Sequence, residues 1–191
     1  MLADAVTGVL DALGAGRAHL VGHSMGGAVA LAVAARDPGR IASLTLIAPS
    51  GFGSEINAGY LRDFAGAQTR RELKPVVGQL FADESLVTRQ LVDDLLGYKR
   101  LDGVDEALHA LLGTLLDGDA QRGDSAAALA AAGAVPVTVV WGRADRVIPA
   151  AQAESVAGAV RHVIDGAGHM PQMERPAEVQ AAIEETIARA G

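Results

Sequence analysis

Apolar positions along this chain fall into two periods. Four short runs, residues 18–22, 44–48, 137–141 and 160–164, are apolar at nearly every position, the last being more mixed. Runs of this length predict strands covered on both faces, and so a largely parallel sheet. Around them apolar residues recur every three or four positions. Leu2, Val6, Val9, Leu10 and Leu13, with Asp4 and Asp11 between them, predict an amphipathic helix. A second helix covers 25–36 and stops before Pro38, another begins near Pro149, and the last starts at Pro176 with Val179, Ile183 and Ile187 on one face. Residues 126–141 read as a helix, a stop at Gly133 and then a strand; the stretch is shorter than the ~20 apolar residues of a membrane span. Strand, helix, strand, a long insertion, then strand, helix, strand, helix describes a doubly wound α/β sheet.

The insertion, residues 51–124, differs from its flanks. Helical periodicity appears at about 73–81, 86–96 and 104–116, interrupted at Pro75, Asp83, Asp102 and Gly103, and no strand pattern appears. Asp102 is expected to cap the last of these helices, with Asp105 and Glu106 in its first turn. The organisation expected is an α/β core at 1–50 and 125–191 with a helical lid at 51–124. A lid is favoured over an inert helical layer because ligands of α/β sheets bind at the carboxyl ends of strands, where this insertion departs.

Composition narrows the chemistry. At 191 residues, 50% hydrophobic and 20% charged, the chain is globular and not disordered. The absence of cysteine excludes disulfides, thiolate metal sites and a cysteine nucleophile, and agrees with a cytoplasmic location. A net charge of -7 with scattered basic residues argues against nucleic acid as a partner. No targeting segment or membrane span is expected, and no metal site. With 3% aromatic residues the core must be aliphatic.

Against that background one hexapeptide stands out: Gly22, His23, Ser24, Met25, Gly26 and Gly27, directly after a strand and directly before a helix. It fits G-x-S-x-G, in which a tight strand-to-helix turn presents a serine hydroxyl. Gly22 and Gly26 are expected to be glycine because a side chain at either would collide with the turn. The helix N-terminus and the Met25 N–H could stabilise a developing oxyanion, and His23 borders the pocket in one reading and is structural in the other. A serine that merely caps the helix is the competing reading of Ser24.

Two further segments supply partners. Asp145 follows the third strand and His169 the fourth, giving the chain order Ser24, Asp145, His169. In that arrangement His169 would take the Ser24 proton and Asp145 would fix its tautomer. Asp145 could instead pair with Arg143 or Arg146 in a surface turn. Asp165 ends the strand leading to His169 and is poorly placed to reach across to that ring. His19, His109 and His162 read as structural or solvated; Arg70, Arg71, Lys74, Lys99 and Arg100 could bind phosphate groups, but their acidic neighbours favour a solvated helix face.

On these motifs the sequence resembles the α/β-hydrolase fold family over nearly all of its length. The insertion adds a closer resemblance, carried by residues 46–51, 55–57, 70–75, 90–96 and 98–104, to the hydrolase-type domain of the dihydrolipoamide acetyltransferase component of acetoin dehydrogenase complexes. The resemblance implies a triad of Ser24, Asp145 and His169, an oxyanion donor at Met25, and a small acyl ester or thioester as substrate. It further implies acyl transfer with coenzyme A or a lipoyl group as co-substrate and no bound cofactor; a generic esterase or carbon-carbon bond hydrolase is the alternative activity, and a catalytically impaired fragment with a structural or interaction role is the alternative to an enzyme. Relative to the family the chain opens at the helix before the nucleophile strand, so an N-terminally truncated, partial fold is expected. The loop giving a second oxyanion N–H would then lie outside it. The only lysines, Lys74 and Lys99, lie in the insertion, so no lipoyl domain is expected. His162 to Gly166 reads H-x-x-D-G, one residue short of the H-x-x-x-D-G signature, and is set aside. The strand at 18–22 is expected to form an apolar sheet edge that pairs with a second copy or a multienzyme partner, or else leaves the chain marginally stable.

Overall fold

The structure is a computed structural model and describes residues 2–191. Helix α1 (Leu2–Ala12) leads to strand β1 (Ala18–His23), helix α2 (Met25–Arg36) and strand β2 (Ile41–Ile47). Helices α3 (Ala58–Gly66), α4 (Arg70–Gly78), α5 (Arg89–Lys99) and α6 (Val104–Leu115) follow, then a small hairpin of β3 (Leu116–Asp117) and β4 (Ala120–Gln121). Helix α7 (Ser125–Ala131), strands β5 (Val137–Gly142) and β6 (Val160–Ile164), and helices α8 (Pro171–Glu174) and α9 (Pro176–Ala188) complete the chain.

The main sheet has the order β1-β2-β5-β6 with every pair parallel. Its central strands β2 and β5 are buried at every position, which is why their sequences carry no alternation. Leu44, Leu46, Val137, Val139 and Trp141 belong to one core with Leu31, Ala34 and Leu129 of the covering helices. Ile47 and Val140 pack instead with Val179 and Ala182 of α9. Trp141 is fully buried, and a side chain of its size withdraws enough apolar surface to stabilise the fold by about 3 kcal/mol or more. Strand β1 lies at the sheet edge, with Val21 49% exposed.

The four main strands and α2 stand where the hydrophobic pattern puts them, and Gly133 ends α7 with a φ of 74°. Several expectations are corrected. Pro75 does not interrupt a helix but sits inside α4. Helix α3 is not visible in the pattern because Gly59 and Gly66 dilute it; Asn57 starts it by accepting from the Tyr60 N–H at 2.9 Å. The insertion does contain strands: β3 and β4 pair around a two-residue loop, Gly118-Asp119, with Gly118 at φ 61°, the glycine-first turn of a tight hairpin. Asp102 is not the cap of α6; that place is taken by Gly103 in the left-handed region at φ 80°, although Asp105 and Glu106 do occupy the first turn. The segment after Pro149 is a 3-10 helix, Ala150–Ser155, and not a full α-helix. In α9 the buried face is Val179, Ala182 and Thr186, with Ile187 exposed, because Thr186 turns inward, donating to Ala182 O and accepting from the Thr138 hydroxyl, each at 2.6 Å. The insertion also has its own small core of Leu73, Val77, Phe81, Val87, Val92 and Leu96.

Candidate active site

Three of the main strands deliver a loop to one edge of the sheet. After β1 the backbone turns abruptly into α2 at Ser24, whose φ of 53° and ψ of -121° lie outside the regions open to ordinary residues. Surrounding bonds hold it there: the Ser24 N–H donates to Ile47 O at 2.9 Å, and its carbonyl accepts from Gly27 N at 2.9 Å and Ser50 N at 3.1 Å. A Cβ on Gly22 would come within 2.4 Å of Gly26 O, and one on Gly27 within 2.7 Å of Pro49 Cβ. Gly26 meets nothing within 4 Å, so the expected steric demand there is wrong. The crowded glycine on the helix side is Gly27, because Pro49 after β2 packs against it. Ser24 makes no side-chain cap bond to α2, which removes the capping reading. The Met25 N–H lies in the first turn, where helical amides have no intrahelical acceptor.

After β5, the Asp145 carboxylate is fully buried and accepts from four groups. Oδ1 takes the Val147 and Ile148 N–H groups at 2.8 and 2.9 Å, while Oδ2 takes Trp141 Nε1–H at 3.1 Å and His169 Nδ1–H at 2.8 Å. Because the carboxylate can only accept, Nδ1 of His169 carries a proton, and in the neutral ring the lone pair is then on Nε2. The two side chains are 3% and 0% exposed. Asp145 does not pair with either arginine: Arg143 binds Asp165 and Arg146 binds Glu84. Asp165 is thereby an exposed surface partner.

The loop after β6 brings His169 onto the serine turn. His23, adjacent to Ser24, donates Nε2–H to His169 O at 2.8 Å, and the two imidazole centroids are 4.8 Å apart. Burial, and secondarily the neighbouring His169, push the His23 pKa down to about 4, against weaker opposing effects of the carbonyl bond and Asp145. It is a neutral support between the serine turn and the histidine loop. Packing of these loops demands two more glycines: a Cβ on Gly142 would lie 2.0 Å from Gly168 O, and one on Gly168 would lie 2.7 Å from Leu80 O.

Sequence reading missed Glu174, a buried carboxylate that accepts from Gly168 N at 2.6 Å, and the partners of Arg146, which donates to Gly78 O and Phe81 O at 2.7 Å. Their adjacency to the site residues is a signal, but their partners are distant in sequence. The grouping of Lys99 with solvated cations is also corrected. It is 3% exposed and donates Nζ to Phe64 O and Ala65 O at the end of α3, over the Phe64 ring. Burial lowers its pKa. His19 bonds Ser43 and His109 bonds Asp105 O, both supporting roles.

A concavity of about 650 Å³ is lined by Ala130, Gly133, Pro136 and Arg189 at the amino end of β5, away from these loops. A smaller apolar groove of about 410 Å³ runs beside β1 from Leu2 and Val6 to His23, Met25 and Gly26. Among the described residues no helix is long and apolar enough to cross a membrane.

A strand-turn-helix serine, a buried Asp-His pair after later strands and a parallel sheet together describe one class of fold, and sequence comparison agrees on that class. A profile for the alpha/beta hydrolase fold matches residues 1–176, and the chain belongs to that family. It is 50% identical over 178 residues to the dihydrolipoyllysine-residue acetyltransferase component of an acetoin cleaving system from Pseudomonas putida, a match covering 93% of this chain and 47% of that protein. The corresponding component from Cupriavidus necator is 49% identical over 187 residues, covering 97% of this chain and 50% of the relative. The chain therefore spans about half the length of these curated relatives. A 2-hydroxymuconate semialdehyde hydrolase from a Pseudomonas species is 31% identical, with 98% of this chain and 68% of that protein covered. Among solved structures, a meta-cleavage product hydrolase from Pseudomonas fluorescens shares the fold at a TM-score of 0.86 and 21% identity, covering 99% of this chain and 71% of that one.

Proposed function

We propose that the chain carries a serine acyl-transfer centre in which Ser24 is the nucleophile, His169 the general base and Asp145 its orienting carboxylate. The observation that carries this reading is the His169 loop: its imidazole is held by buried Asp145 on one side and its backbone by His23, next to the strained serine, on the other. Ser24 Oγ attacks an acyl carbonyl while its proton passes to His169 Nε2. The Met25 N–H receives the developing oxyanion, and His169 then returns the proton to the leaving group. Water or a thiol resolves the acyl enzyme.

The substrate class we favour is a small acyl ester or thioester, with acetyl transfer to coenzyme A or a lipoyl thiol as the specific form. The support is similarity over almost the whole chain to acetyltransferase components of acetoin cleaving systems. Residues 51–124 serve as a lid controlling which acceptor enters. The β1 edge, where Val21 and the apolar groove are exposed, is the surface through which the chain meets another copy or a complex component. Hydrolysis, with water as acceptor, is the second reading, favoured by the likeness to the semialdehyde hydrolase.

Incubation with a fluorophosphonate probe, followed by peptide mass mapping, tests the centre. Covalent modification at Ser24, lost in Ser24→Ala, is expected; an unlabelled wild-type protein overturns the reading. Turnover of acetyl thioesters with a thiol acceptor, compared with nitrophenyl acetate in water alone, separates transfer from hydrolysis.

A further inference from the structure

Glu174, the last residue of α8, is a buried carboxylate with no part in the acyl-transfer steps. Its Oε2 accepts from Gly168 N, one residue before His169, at 2.6 Å. Its Oε1 accepts from Ala82 N at 2.8 Å and Asp83 N at 3.3 Å, in the turn that follows α4. One carboxylate thus joins the histidine loop to the insertion. The same turn is gripped from the aspartate side: Arg146, next to Asp145, donates to Gly78 O, Phe81 O and Glu84 Oε1. Contact between the two loops is direct, since a Cβ on Gly168 would lie 2.7 Å from Leu80 O and 2.8 Å from Ala82 N.

We propose that Glu174 is a positioning residue that makes the turn at 78–84 and the His169 loop one mechanical unit, so that displacement of the insertion displaces the general base. This deepens the serine acyl-transfer reading and rests on it for its catalytic consequence. The chemistry explains why an acid is needed. Backbone N–H groups from two separate segments converge on one point, and only a group with two acceptor oxygens and no donor satisfies all three. A neutral amide must place its NH2 against one segment or the other. Proton transfer at His169 depends on the position of Nε2, and a misplacement of about 1 Å costs on the order of a hundredfold in rate. A ligand that shifts the turn at 78–84 would therefore reach the base without touching it.

The test combines amide hydrogen exchange with the Ser24 labelling rate. In Glu174→Ala, which removes both acceptor oxygens, exchange at Gly168, Ala82 and Asp83 is expected to accelerate together, about tenfold or more, with Ser24 labelling slowed about tenfold. Arg146→Met, at a half-exposed position, keeps the test alive if the first variant fails to fold. It loosens the turn at 78–84 without removing Glu174, and Gly168 exchange is expected to rise with that of the turn. Exchange rising in the turn while Gly168 stays at its wild-type rate, in either variant, would overturn the coupling. Unlabelled wild type would instead refute the nucleophile, and the exchange rates would still decide the clamp on their own.

Discussion

Asp145→Asn changes one atom at a buried site whose four donors are all known. The amide has two orientations. With its oxygen toward Val147 and Ile148, both backbone bonds survive and NH2 faces Trp141 Nε1–H and His169 Nδ1. The indole keeps its other acceptor, Ile148 O at 3.0 Å, so the clash falls on the imidazole. It can shed the Nδ1 proton and accept from the amide, but Nε2 must then carry the proton, and a protonated Nε2 cannot take one from Ser24. The opposite orientation sets NH2 against two backbone N–H groups and is worse. Losing one charge-assisted bond and the carboxylate's charge, with the other bonds kept, costs about 2–4 kcal/mol. For a chain of this length that lowers the melting temperature by about 5–15 °C. The wrong tautomer costs more in rate than in stability: about 10⁴-fold in the modification of Ser24 by fluorophosphonate. Rate and melting are measured on the same samples below the melting transition. A variant that loses stability yet labels at the wild-type rate would refute the argument, reducing Asp145 to a brace for its turn.

Protonation, glycine packing and the sheet edge each carry a further expectation. His23 stays neutral in the fold down to about 4, whereas in the unfolded chain it protonates near its ordinary value of about 6.5. As pH falls through that window the unfolded state gains a proton that the native state refuses, so stability falls with pH; His23→Phe should flatten the melting curve's pH dependence between 6.5 and 4, and equal slopes would contradict the assignment. Gly22→Ala and Gly27→Ala should destabilise by about 3 kcal/mol or more through backbone and proline collisions, whereas Gly26→Ala, in open space within α2, should stabilise by up to about 1 kcal/mol; urea titration ranks them, and a costly Gly26→Ala would be the failing result. At the β1 edge, Val21→Lys should shift the chain toward monomer in sedimentation, and an unchanged mass distribution would exclude that edge as the contact.

Legibility varies with the range of the interaction. The continuous apolar runs of β2 and β5 are readable because a central parallel strand is buried on both faces, and α2 because glycines and a proline bracket it. Ser24, Asp145 and His169 are legible as a set, since each follows a strand and their order fits one family pattern. Helix α3 is not, because Gly59 and Gly66 weaken its periodicity and its start depends on the Asn57 cap. The β3–β4 hairpin is too short for periodicity to register, although its Gly118-Asp119 turn is in plain view. Lys99 misleads because composition marks lysine as solvated, while here two carbonyls at the end of α3 receive its ammonium.

By itself the sequence determined the strands, the serine turn and the chain order of the candidate triad, since all three rest on local periodicity and on steric rules acting over a few residues. Only the tertiary structure decided which partner Asp145 takes, that Gly27 and not Gly26 is the crowded glycine, and that Glu174 ties Gly168 to Ala82 and Asp83. Those facts depend on backbone groups far apart in the chain meeting at one buried point, where each donor must find an acceptor away from water.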